Sequence, residues 1–179
     1  MLQNGKDVGG RALLAMVARL KATSVVLALL IVAGFSTPVL AQVELKTTVS
    51  KVVIEPGEDD KPVRRLIEAS NVVPGDTLQY VISFSNKGKD VVDAGSIVIT
   101  NPLPPDTVYL DGTAQGSGTD ISFSVDSGTT FGQPADLTVM KDDVQTVAQA
   151  TDYTTIRWAF KQALEAGKTG DVTFSVRLK

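Results

Sequence analysis

Apolar and polar side chains alternate along residues 77–85. Leu78, Tyr80, Ile82 and Phe84 share one side, while Gln79, Ser83 and Ser85 share the other with Val81 among them. A two-residue period buries one face of a strand and leaves the other wet. Pro74-Gly75-Asp76 forms a tight turn before it, with proline presetting φ and glycine taking the positive-φ position. Asn86-Lys87-Gly88 closes the strand in the same way.

The rhythm returns along the chain. Residues 96–100 are a β-branched run that Asn101-Pro102-Leu103-Pro104-Pro105 should stop, because prolines lack the donors of a central strand. Short strands follow at 107–110, at Ile121, Phe123 and Val125, and at 137–140. Ile156, Trp158 and Phe160 share a face, as do Val172, Phe174, Val176 and Leu178. Residues 162–168 have room for one helical turn, but Gly167 and Gly170 mark a connection. Upstream, 43–54 reads as a first strand and 66–70 as a second, after the acidic turn Glu55-Pro56-Gly57-Glu58-Asp59-Asp60. Val52, Val53 and Ile54 break the first strand's alternation. That marks a bulge or a switch between sheets, or else a segment that pairs with a neighbouring molecule's open edge.

About seven to nine short strands with regular turns predict an all-β sandwich. Leu78, Tyr80, Ile82, Phe84, Trp158, Phe160, Phe174 and Val176 are the expected core.

The first forty residues follow another pattern. An apolar run over 22–35, with Gly34 near its end, is preceded by Arg19 and Lys21 and followed by Pro38 and Val39-Leu40-Ala41. Small residues at 39 and 41 suit signal peptidase, so residues 1–41 read as a signal peptide and 42–179 as the exported domain. Met16 is an alternative start to Met1. An uncleaved anchor is the competing reading, since residues 22–41 match a bilayer in length, and the domain would then be tethered in the periplasm.

Lys6, Arg11, Arg19 and Lys21 stand against Asp7 in the leader, and 13 basic against 19 acidic residues in the remainder. The formal charge of −3 thus divides into +3 and −6. An acidic domain offers no footprint for nucleic acid. The chain has no cysteine and no histidine. It therefore has no disulfide framework, no thiolate zinc site, no lipoprotein attachment and no imidazole general base.

Three separated segments carry a family resemblance: NVVPGDTLQYVISFSNKGKD, SIVITNPLPPDTVYLDGTA and TTIRWAFKQALEAGKTGDVTFSVRLK. Together they resemble the conserved repeat domain of bacterial and archaeal cell-surface proteins catalogued as domain of unknown function eleven. The shared features are the Pro-Gly-Asp turn before a strand ending in Asn86-x-Gly88, and the Pro-Leu-Pro turn. A terminal strand pair with Trp158 and Phe174 completes them. Asn101 stands where Asp is expected before Pro-Leu-Pro, which keeps turn chemistry. The resemblance covers residues 71–179 and implies an immunoglobulin-like β-sandwich working outside the cytoplasm. It further implies a structural or adhesive module without catalysis, partnered by other envelope or surface proteins, copies of itself included. Membrane contact would come only through an uncleaved N-terminal segment. A pilus-like subunit exchanging its N-terminal strand is the alternative.

No catalytic, cofactor-binding or metal residue is assigned from the sequence. Glu58-Asp59-Asp60 and Asp142-Asp143 offer oxygen ligands for a hard cation but lack a spaced calcium loop, and solvated turns explain them better. Ser122, Ser124, Ser127 and Thr129 are either glycosylation acceptors or, as the better account, polar strand faces. Lys46, Lys51 and Asn86 are conceivable members of an isopeptide crosslink. Trp158 is either a sugar-stacking platform or, more simply, core. The chain lacks G-x-S-x-G, S-x-x-K and a phosphate-binding glycine loop in a suitable context.

Overall fold

The computed structural model describes residues 43–179. The signal-peptide, cleavage and anchor expectations fall outside the described residues. Eleven strand segments occur in order: β1 (Val43–Pro56), β2 (Pro62–Glu68), β3 (Thr77–Asn86), β4 (Val98–Pro102), β5 (Thr107–Tyr109), β6 (Gln115–Gly116), β7 (Thr119–Ser124), β8 (Thr138–Lys141), β9 (Val144–Val147), β10 (Thr155–Phe160) and β11 (Thr169–Leu178). They form one sheet in the order β2-β1-β3-β11-β5, with β6 also on β11, and a second in the order β4-β10-β7. A hairpin of β8 and β9 stands apart from both. All the pairings are antiparallel, so β1 and β11, on either side of β3, run parallel to each other. Val43 faces Asn86 at one end of β3, and Arg177 faces Thr77 at the other.

The two sheets meet in a sandwich-like arrangement through their apolar faces. Phe84 of β3 meets Phe160 of β10 edge-on at 5.1 Å between ring centroids. Trp158 of β10 lies 5.8 Å from Phe174 of β11, and Tyr109 of β5 lies 5.5 Å from Phe123 of β7. Trp158, Phe174, Ile156, Val172 and Val176 are closed to solvent. Leu78, Ile82, Phe84 and Phe160 are buried with them. Tyr80 is half-buried and stacks on its cross-strand neighbour Phe174 at 4.7 Å. Alternate burial from two sheets is what the periodicity of β3, β10 and β11 encodes. Gly170 faces Phe84 across the β3–β11 ladder, and a Cβ at position 170 would overlap the Phe84 ring.

The structure differs from the sequence expectations in several places. β4 runs through Asn101 and Pro102 instead of stopping before them. It pairs with β10 alone, and an edge strand tolerates proline because its outer side needs no ladder donor. β6 and β9 were not foreseen, being short and largely exposed. Val125 lies beyond the end of β7. Residues 162–168 form no helix; Leu164 is buried and bridges to Val92. β2 spans Pro62–Glu68 instead of 66–70. The irregularity at Val52–Ile54 is neither bulge nor sheet switch: the β1–β2 ladder holds a constant register from Ser50 to Pro56, and the β1–β3 ladder runs in register up to Val52, where it ends.

Candidate contact surface

β1 has 14 residues, and only its first ten, Val43 to Val52, pair with β3. The last seven, Ser50 to Pro56, pair with β2. The far end of this hairpin therefore projects past β3 as a two-stranded arm. At its tip the Gly57 N–H donates to the Lys61 carbonyl at 2.8 Å, across a short 3₁₀ turn at Glu58–Asp60. Asp59 takes left-handed φ of 61° there.

Side chains secure the base of the arm. The Lys51 ammonium lies 2.6 Å from the Asp76 carboxylate, which also accepts the Val73 N–H at 2.8 Å. The Lys51 contact first, and the Val73 N–H second, lower the Asp76 pKa below its ordinary value. Arg64 donates to the Gln79 side-chain carbonyl at 3.1 Å. Further out, Arg65 and Glu55 pair at 3.3 Å in full view of solvent, a contact of little energetic weight.

Every described residue of β2 is exposed. Ile54, Val63, Leu66 and Ile67 carry large apolar side chains into solvent on the arm. Met140, Val144 and Val147 do the same on the β8–β9 hairpin. Scattered apolar residues on a surface are ordinary, but several on one unpaired edge strand make an adhesive edge. A groove of about 320 Å³ adjoins the arm on the outer sheet face, lined by Val52, Arg64, Gln79, Leu110, Gln115 and Thr173 among others.

The sequence candidates find other work. Asp142 and Asp143, both at positive φ, are the two central residues of the β8–β9 turn, where Lys141 faces Val144. That is a type I′ hairpin turn. Ser124 is buried: its hydroxyl donates to Asp126 at 2.6 Å and accepts the Gly128 N–H at 2.9 Å, so it is closed to a glycan. The Thr129 hydroxyl donates to the Asp126 carbonyl at 2.9 Å. Ser122 and Ser127 sit on β7 and in the loop after it.

The isopeptide trio is not assembled. Lys46 faces Ser83, Lys51 faces Leu78 and Asn86 faces Val43, so the three occupy separate register positions. The Asn86 amide donates to the Asp90 and Leu164 carbonyls at 2.8 and 2.9 Å, and its oxygen accepts the Gly88 N–H. It fastens the turn after β3. Trp158 is wholly enclosed and offers no platform; its indole N–H has no hydrogen-bond partner among the described residues.

Sequence reasoning missed the edge formed by Val63, Arg64 and Arg65, because β2 has no buried face to impose alternation. The flanking Pro56-Gly57 and Lys61-Pro62 were the signal available. Comparison of the chain with protein-family models, with curated proteins and with solved structures gave no match.

Proposed function

We propose that the chain is an exported, non-catalytic module of immunoglobulin-like type, working through contacts with other envelope or surface proteins. The observation that carries this reading is the β1–β2 arm, which projects beyond β3 and turns Ile54, Val63, Leu66 and Ile67 outward on an unpaired edge. A protein spending stability on an exposed apolar edge retains it for contact. The basic, apolar N-terminal pattern ending at Val39-Leu40-Ala41 supports export, and the lack of histidine and cysteine supports a role without catalysis. The resemblance to surface repeat domains agrees with both.

The test has two arms. Intact-mass measurement of protein from envelope and medium fractions should give a chain lacking residues 1–41. Replacing Ile54 and Val63 together by lysine should release the protein from the envelope while leaving its melting temperature unchanged, since both side chains are already exposed. A retained leader would sink the cleavage reading and favour a membrane-tethered domain. Unchanged envelope retention of the lysine variant would sink the contact reading.

A further inference from the structure

We propose that the free edge of β2 pairs with the β2 of a second copy, antiparallel about a two-fold axis at Leu66. The proposal deepens the contact reading above by naming the partner. The direction of the backbone groups comes first. Pro56 faces Pro62, and neither has an N–H, so this pair exchanges no hydrogen bonds. The next pair outward does bond, Gly57 N–H to Lys61 carbonyl. Hydrogen-bonded and non-bonded pairs alternate along an antiparallel ladder, so Val63, Arg65 and Ile67 turn their backbone groups toward β1. Arg64, Leu66 and Glu68 therefore aim their N–H and C=O groups at the free edge. Nothing in the described chain lies beyond β2 in the sheet to receive them.

Those three residues limit the registers in which two copies can pair, because the outward groups must meet outward groups. Centring the pair on Arg64 or Arg65 sets a guanidinium against its own symmetry mate. Centring on Ile67 sets Leu66 against Glu68 and leaves Arg64 beside a serine, Ser70. Centring on Leu66 sets Leu66 against Leu66, and Arg64 against Glu68 on both sides of the axis. The side chains of 64, 66 and 68 share one face, since alternate residues do. Among the described residues neither Arg64 nor Glu68 has an ion-pair partner in its own chain. The charges that each edge leaves open thus satisfy the other copy. Direct cross-strand pairs of opposite charge and of apolar side chains are what stabilise a sheet. The two first sheets become continuous across the axis, and a C2 contact of this kind closes on itself. With so few residues on each side the contact is small and dissociable.

The chain has no native cysteine, which makes the register directly readable by oxidation. Single cysteines at Leu66, Arg65 and Val63 are placed in the full chain, expressed in its host, and oxidised mildly. In the proposed register the two copies of position 66 form a hydrogen-bonded pair, within disulfide reach. Position 63 faces Ala69 of the second copy, which puts its symmetry mates about 20 Å apart. Leu66→Cys should give a homodimer band, and Val63→Cys, of similar exposure, should give only collisional background. Adding Arg64→Glu or Glu68→Arg to Leu66→Cys should lower the crosslinked fraction about tenfold, and adding both should restore it. Arg64→Glu also gives up the hydrogen bond to Gln79, which Glu68→Arg does not replace, so restoration by the double swap cannot come from repair of the arm. The proposal is overturned by strongest crosslinking at 65, by equal crosslinking at 63 and 66, or by a swap cycle without restoration. It is also overturned if the Leu66→Cys adduct proves by mass to join a different polypeptide. That last result would leave the contact module standing, because the arm would still be the surface engaged.

Discussion

Gly170 is where β11 can lie beside the Phe84 ring, because a hydrogen occupies the place a methyl would take. Gly170→Ala should destabilise the domain by about 1–3 kcal/mol, as overpacking of a closed site does, measurable by urea unfolding. Trp158→Ala should cost about 3–5 kcal/mol, and Trp158→Phe clearly less, because phenylalanine keeps most of the ring volume and removes the unpartnered indole N–H. Loss of envelope binding without loss of stability in Trp158→Ala would contradict the packing role. Asp126 gives a pH-dependent case. The Ser124 hydroxyl foremost, then the hydroxyl and N–H of Thr130, bring its pKa down from 3.8 to about 2. A carboxyl depressed in the folded state contributes stability that is present above its unfolded pKa and lost as pH falls through the folded value. Asp126→Asn should therefore melt lower than wild type at neutral pH, with the difference shrinking between pH 4 and pH 2. Ile156, Trp158 and Phe174 were legible as core because alternation reports the face of a strand. Gly170 was not, since a glycine read locally is punctuation, and its packing partner lies 86 residues away in sequence at Phe84.

Among elements, the β8–β9 hairpin shows what an acidic pair does in a turn. Asp142 and Asp143 hold φ of 51° and 62°, the left-handed conformation that both central positions of a type I′ turn demand. Asp143→Gly should raise stability by roughly 1 kcal/mol, since a side chain at positive φ costs about that much. A drop in midpoint would show that Asp143 makes a contact beyond turn geometry. The β1–β2 hairpin teaches the converse. Alternation in β1 is clear up to Val49 and fails at Val52–Ile54, where the strand parts from β3 and pairs with β2 alone. β2 is exposed along its length, and the absence of a buried side explains why its start at Pro62 is not legible in the sequence. Hydrophobic period marks contact with a core; an element standing free of the core carries turn signals and little else.

At the scale of the molecule, the sandwich-like class followed from strand count and turn spacing, but the strand order did not. β11 lies between β3 and β5, and β10 between β4 and β7, through pairings that no local pattern encodes. The order matters most for β1, β3 and β11. Val43 enters at the Asn86 end of β3, and β11 ends at the Thr77 end. Tension applied between position 43 and position 178 would therefore pull β1 and β11 lengthwise in opposite directions past β3. The two longest ladders of the sheet would be loaded in shear, with their hydrogen bonds strained together instead of opened one after another. The β8–β9 hairpin pulled apart at Lys141 and Val144 would peel sequentially. Single-molecule pulling should find the first geometry yielding at a markedly higher force than the second. A chain held at both ends outside a cell would then be gripped along its strongest axis.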